Sequence, residues 1–591
     1  MLHLLRDYAL KNTLESEPGF KPKDVRWAIV FDAQGRFLEV IELGDTSLKR
    51  NPGRTFPKCP DFSFSEMKAG GETKSHFLVE TAQVMGLHGK DADNRKNLDK
   101  HNFFVKLLDE VGSGVPSLKL AADQLSNPET LSAIRNRFEE YKIRPNDKVT
   151  LKIGHEFPVE LDTWHEWWRN YRKNLTEDQP AKQIRSKRKK PGLRMRSLMT
   201  GEEVEPFKVH PKISGLADVG GMSSGDALIS FKQDSFCSYS LTQSENATTS
   251  ENDASTYRAA LNDLIKNHSQ RLAGAKVVHW FKEKVAPEDD PLPWLAIGAE
   301  TEELNAQHRA RELLTSIRAG KRPDLWRNFY YALTLSGAAG RVMVRDWMEG
   351  QFEELVANIK AWFDDLEIVH RSGSGTAPAP KFLAVIGATV RKLDDLAAPF
   401  VAKMWRVAVR NEPIPHAALS QALARVRTDT IDDQPPNHAR MGLLKAYHIR
   451  KDKTQRKEPT MKPNLNEEHP EAAYHCGRLL AVLAVLQRTA LGDVGAGVVQ
   501  RYYAAASATP ALVLGRITST SQHHLQKIES PGLRHWYEEK LASIWCRIKD
   551  KIPSTLTLEE QSLFALGYYQ QMADLRTKKS DDNNEKEINN G

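Results

Sequence analysis

VRWAIVFDAQGRFLEVIE, residues 25–42, decides the fold class. Val25 to Phe31 is rich in β-branched and aromatic residues, Asp32-Ala33-Gln34-Gly35 supplies turn chemistry, and Arg36 to Glu42 returns as a second run. Two such runs about a short turn predict a β-hairpin. The surroundings are mixed. Residues 2–14 carry apolar residues at helical spacing, and 43–76, rich in Gly, Pro, Lys and Ser, read as a long loop or meander. Helices are expected at about 76–86, 100–111 and 128–141, and strands at 147–153 (DKVTLKI) and within 213–240, which ends in ALISFKQDSFCSYS.

From Asn252 the periodicity turns helical and stays so to about residue 575. One strand pair interrupts it, near 276–282 with 326–347. Toward the end, helices are expected at 471–490, twice within 498–528 around Pro510, at 531–549 and at 557–576. These make a bundle of four or five helices, with Ala504, Ala505, Ala506 and Ser507 as small residues for close packing. Residues 370–381 (HRSGSGTAPAPK) and 449–463 (IRKDKTQRKEPTMKP) read as linkers, and the polar tail from Lys578 as disordered. The expected architecture is therefore α+β: a mixed α/β domain over 1–250, a mainly helical middle over 251–460, a C-terminal bundle over 461–577 and a disordered tail over 578–591.

With 591 residues, 40% hydrophobic and 27% charged, the chain has the profile of a soluble protein of several domains. Four cysteines (Cys59, Cys237, Cys476, Cys546) stand far apart with no CxxC, which speaks for a reducing compartment and against a zinc ribbon. Nowhere do 18 apolar residues run together, and Arg6 and Asp7 interrupt the N-terminal helix, so neither a membrane span nor a signal peptide is expected and the composition reads as cytoplasmic. There is no HExxH and no DxD pair in a convincing setting. His523 and His524 are neighbours on an expected helix and point about 100° apart, a poor start for one metal. No catalytic residue, metal or cofactor is expected.

Binding chemistry is better represented. AKQIRSKRKKPGLRMRSLMT, residues 181–200, contains Arg185, Lys187, Arg188, Lys189 and Lys190 among its cations and no acidic residue, so it can neutralise several phosphates; its bland reading is a solvated loop. GLADVGGMSSGDALISF, residues 215–231, is glycine-rich yet matches neither GxxxxGK[ST] nor GxGxxG, so turns account for its glycines. Lys232, Gln233, Gln243 and Asn246 follow, with donors of the type that groove readout requires. Lys68 and Lys74, in the earlier glycine-containing loop, are second choices. Arg478, Arg488, Arg501, Arg516 and Lys527 could line a basic face of the bundle, although such residues are more often ordinary surface charges.

Five ordered blocks carry a family resemblance: KDVRWAIVFDAQGRFLEV; SGDALISFKQDSFCSYSLTQSENATTSENDASTYRAALNDLI; FYYALTLSGAAGRVMVRDW; NHARMGLLKAYHIR (437–450); and YHCGRLLAVLAVLQ with RYYAAASATPALVL. Together they resemble the large-subunit family of the type I-C CRISPR Cascade through nearly the whole chain. Gly337-Ala338 and Lys232-Gln233 depart from the family's pattern, where Pro-Asn and Asn are expected. The resemblance implies a non-catalytic subunit of a crRNA-guided complex, held by the backbone and guide 5′-end-binding subunits. It implies that the chain checks target double-stranded DNA for a protospacer-adjacent motif, helps open the duplex, stabilises the displaced strand and recruits a helicase-nuclease. Under it, Lys232, Gln233, Gln243, Asn246, Lys68 and Lys74 are candidates for the motif. Arg185, Lys187, Arg188, Lys189, Lys190, Arg478 and Arg501 are candidates for backbone or displaced strand. It also implies small subunits made separately from the C-terminal part, with Met461 the favoured start and Met441 the runner-up. The competing readings are a guide-RNA-processing endoribonuclease, for which no carboxylate or base cluster is visible, and a structural scaffold without DNA readout.

Overall fold

The hairpin forms as its turn chemistry demands. Strand β1 spans Phe20–Val25, β2 Trp27–Phe31 and β3 Phe37–Glu42. Between β2 and β3, Asp32 Oδ1 accepts from the backbone N–H of Gln34 (2.9 Å) and of Arg36 (2.7 Å). Gly35 takes the left-handed φ of 86° that costs glycine nothing. β4 (Arg54–Pro60) pairs antiparallel with β1, and β5 (Val79–Thr81) and β6 (Lys148–Ile153) complete a four-stranded sheet of order β3-β2-β6-β5. β2 and β6 run parallel, and all five residues of β2 are buried, as its uninterrupted apolar run requires of a central strand.

The structure is a computed structural model that describes residues 1–14, 17–45, 47, 51–68, 71–91, 94–177, 193–231, 233–237, 239–296, 300–492, 494–548 and 552–577. The basic run 181–190, Lys232 and the tail from Lys578 lie outside them. The chain makes two compact units: one of Met1–Gly215, Met222–Lys266 and Gly340–Val342, the other of Leu216–Gly221, Asn267–Ala339 and the chain from Met343 on.

In the first unit the helices Arg95–Gly112, Pro116–Leu125 and Pro128–Glu140 share one core with the sheet, through Phe103, Phe104, Leu107, Leu118, Ile134 and Phe138. Asn94 and Asn127 cap the first and third of these helices, and Pro116 and Pro128 open the second and third at the position where a missing N–H is harmless. The helix His165–Glu177 closes the core with Trp168, and Trp164 is buried just before it. Beyond it lie two short antiparallel pairs, β7 (Met195–Arg196) with β8 (Glu203–Val204) and β9 (Lys212–Ile213) with β10 (Asp226–Ala227), and the helix Glu251–Asn267.

Several expectations change here. The 43–76 meander contains β4 and a short helix, Phe64–Lys68, and the helix expected at 76–86 begins as β5 and turns helical only at Ala82–Met85. The helix Pro116–Leu125 had not been expected. The β reading of 213–240 reduces to the end of β9 and to β10: after Ala227 the described residues form turns and a 3₁₀ segment, Asp234–Phe236.

The second unit places β11 (Ser269–Leu272), β12 (Ala275–Phe281), β13 (Phe329–Ala338) and β14 (Arg341–Gln351) side by side in that order, so the expected strand pair is the middle of a larger sheet. Its helices include Phe352–Leu366, Ala398–Arg410, His416–Ile431 and His438–Thr454, followed by Ala472–Leu491, Val498–Ala506, Pro510–Gln526, Pro531–Ile548 and Leu558–Arg576. One hydrophobic core runs from Leu272 to Ala573 and includes Met461, which is 4% exposed. The expected linker at 449–463 starts inside the helix His438–Thr454, and Arg450 is buried there. Its guanidinium donates Nε–H to Asp365 (2.9 Å) and Nη1–H to the carbonyls of Val407 (2.7 Å) and Glu412 (2.9 Å), and lies 5.3 Å from the Trp362 ring centroid. A buried cation requires such partners.

Ala504 and Ala505 are exposed, so they are not the small residues that let helices approach. Gly477 and Gly567 are: a methyl group on Gly477 would collide with the Phe564 carbonyl, and one on Gly567 with the Tyr474 carbonyl. At this crossing of Ala472–Leu491 with Leu558–Arg576, the Tyr474 hydroxyl donates to Gln570 (2.5 Å).

Candidate nucleic-acid interface

The helix Glu251–Asn267 holds the frame of the candidate site. Asp253 accepts from the Ser197 hydroxyl at 2.9 Å, and His210 sits between the Tyr257 hydroxyl (2.9 Å) and Thr249 Oγ1 (3.2 Å). Burial pushes the His210 imidazole down to about 4, so it is neutral near pH 7. Backbone bonds from Leu198 N to Thr248 O (2.8 Å) and Phe207 N to Thr249 O (2.9 Å) tie the 195–210 segment to the start of that helix. In the glycine-rich stretch, Asp226 is fully buried and accepts from Met222 N (3.1 Å), an internal turn bond rather than a phosphate cradle.

Out of this frame comes the loop 228–247. Phe231 and Phe236 meet edge to face at 5.7 Å, a local contact in place of a strand partner. Phe236 is 41% exposed and Tyr239 98% exposed. Tyr239, Ser240 and Gln243 hold φ of 53°, 63° and 49°, a region that residues with side chains seldom adopt and that costs free energy to keep. Two side chains pin the loop. Asn246 Nδ2 donates to the carbonyls of Phe236 (2.8 Å) and Gln243 (3.3 Å), and Glu245 accepts from the N–H (2.5 Å) and hydroxyl (3.0 Å) of Thr242. Glu245 also pairs with Lys208 at 3.2 Å. Although burial raises the Glu245 carboxyl, the Thr242 bonds and Lys208 hold it below the usual carboxylate range. Arg194, Arg196 and Lys212 are exposed on the flanking segments, as are Glu202, Glu203 and Glu205.

The sequence candidates fare unequally. Gln233 and Gln243 are exposed on this loop, where they can reach a ligand. Asn246 shares it, but its amide nitrogen is committed to the loop's own carbonyls. Lys232, Arg185, Lys187, Arg188, Lys189 and Lys190 lie outside the described residues. Lys68 is exposed at the end of its short helix, whereas Lys74 is 3% exposed and burial lowers its amine, so it does not present a free cation to a ligand. Arg501 is exposed on Val498–Ala506, and Arg488, Arg516 and Lys527 are exposed as well. Arg478 is a correction: at 1% exposure it bonds Gln571 (3.0 Å), the His475 ring (3.1 Å) and Glu467 (3.0 Å) inside the second unit, so it is a structural residue and not part of an exposed basic face. Sequence reasoning passed over Tyr239 and Phe236. Their signal, two aromatics amid Ser, Cys and Gln, resembles a strand.

Among the described residues no group of three or more His, Cys, Asp or Glu is placed to hold a metal ion, and no helix is long and apolar enough to cross a membrane. All four cysteines are free, Cys59 and Cys476 buried, Cys237 and Cys546 exposed.

Fold and site thus describe an α+β protein of two units with a pinned aromatic loop on the first. The chain belongs to the family of the CRISPR-associated protein (Cas_Csd1), whose model matches residues 5–576. No curated protein matches the chain.

Proposed function

We propose that this chain is the non-catalytic large subunit of a type I-C Cascade, and that it reads the protospacer-adjacent motif on target duplex through the loop 228–247. The family match over nearly the whole chain carries the reading. The exposed Tyr239, Phe236, Gln233 and Gln243 supply what the role needs: planes that can rest on bases and amides that can reach their edges. Guide pairing reads the target sequence, so the protein requires only a short duplex contact and favourable backbone electrostatics. Arg185, Lys187, Arg188, Lys189 and Lys190, with Arg501, are the backbone and displaced-strand candidates. Partners are the crRNA-bound subunits, the helicase-nuclease that follows strand opening, and small subunits corresponding to the C-terminal part, which intact-mass analysis of the purified complex would reveal as a fragment beginning near Met461.

The test is binding of the assembled crRNA complex, with and without this chain, to matched targets that differ only beside the protospacer. A preference for one flanking sequence that appears only with the chain supports motif reading. Equal binding to all targets by both assemblies makes the chain a scaffold or recruiter.

A further inference from the structure

Of the twelve tryptophans in the chain, only Trp326 is exposed, at 56%; every other indole is buried or half-buried. Trp326 ends the short helix Pro323–Trp326, whose Leu325 is buried at 1%. Three residues on, Phe329 opens β13 with 36% of its surface exposed, and Lys282 Nζ stands 5.8 Å from its ring centroid. The support beneath is built from Asn328, which is 1% exposed. Its side chain accepts from Glu283 N (2.9 Å) and donates to Glu283 O (3.0 Å), while its carbonyl accepts from Phe352 N (2.9 Å). A further bond from Lys282 N to Phe329 O (2.8 Å) holds residues 282–284 beside 326–329.

The charges around these rings are mostly positive. Lys282, Lys284, Lys321 and Arg327 are exposed. Of the nearby carboxylates, Asp289 and Asp324 pair with Arg322 at 2.8 Å each, and Glu283 and Glu288 are exposed. Exposed aromatic planes interleaved with cations fit a strand whose bases are free to stack and whose phosphates lie close by. A duplex offers base faces only where a base step is unstacked or opened, and protein interfaces are depleted in lysine at their cores.

We propose that Trp326 and Phe329 form a platform for single-stranded nucleic acid, with unpaired bases on the rings and phosphates near Lys282, Lys284, Lys321 and Arg327. The inference rests on the nucleic-acid reading above only for its biological setting; its geometry belongs to the second unit alone.

The test uses the full chain with short oligo(dT) and oligo(U) carrying 5-iodouracil, which cross-links to aromatic rings on irradiation. The expected adduct lies on Trp326 or Phe329. Trp326→Ala should weaken binding about tenfold, the effect of losing one stacked base, while Trp326→Phe retains most of it. Capture of DNA alone assigns the platform to a displaced strand and capture of RNA alone to guide RNA, and either supports the proposal. Absence of adducts at both rings, or unchanged binding by Trp326→Ala and by a Trp326→Ala/Phe329→Ala variant, overturns it. The flanking-sequence preference of the assembled complex should survive Trp326→Ala, so loss of the platform and loss of motif reading give separate signatures.

Discussion

Tyr239 combines two costs in one residue, a phenol ring almost wholly in water and a left-handed backbone. Strained backbone of this kind clusters at ligand-binding and active sites, which motivates a test at Tyr239. Tyr239→Ala should therefore weaken binding of duplex target by the assembled complex about tenfold, with Tyr239→Phe close to wild type, because stacking uses the ring and not the hydroxyl. Equal affinity for all three forms would remove Tyr239 from the site. At this scale the sequence was half legible. Residue type marks Gln233, Gln243 and Asn246 as groups able to hydrogen-bond, but it does not say which are already engaged. Asn246 spends its amide on Phe236 and Gln243, and Arg478 spends its guanidinium on Gln571, His475 and Glu467. Both commitments depend on tertiary placement, which local spacing does not encode.

Among elements, the helices were the most legible. Pro510 and Pro531 stand at helix starts, and Thr557 and Glu560 form a reciprocal cap in which each side chain bonds the other's backbone. The stretch 228–240 misled because its composition suits a strand while, among its described residues, none pairs in a ladder; Phe231 turns to Phe236 instead. The closest helix approach was also hidden. Alanines 504 and 505 advertise close packing yet face solvent, whereas Gly477 and Gly567 bring two backbones together. Gly477→Ala should destabilise the protein by roughly 3 kcal/mol, since a methyl group against a rigid carbonyl forces the helices apart. Thermal unfolding checks this, and an unchanged midpoint would mean that the helices separate without penalty.

Over the whole molecule, the α+β character and the order of sheet and helices were readable from periodicity, because apolar spacing of two or of three to four is a local property. How many cores those elements share is not local. Residues 251–460 and 461–577 read as two regions, yet Leu272, Met461 and Ala573 belong to one core. Burial also leaves the molecule with a pH signature. His210 in the first unit and His448 in the second are pushed down to about 4 by desolvation. An unfolded chain takes up protons at these rings below about pH 6.5, while the folded chain stays neutral there until about pH 4, so stability is lost across that window as pH falls. The unfolding midpoint should drop between pH 6.5 and 4, and His210→Gln should flatten the fall; a midpoint insensitive to pH in that range would count against neutral buried imidazoles. The glycine crossing, finally, bears on the order of synthesis. Gly477 leaves the ribosome long before its partner Gly567, and until then Tyr474 lacks Gln570 and Arg478 lacks Gln571. The core of the first unit, Phe20 to Trp168, is complete early in translation, whereas the second stays open until the last helix emerges. A nascent chain released one helix short would thus carry a finished first core and an unsealed second, a ready substrate for chaperones and proteases.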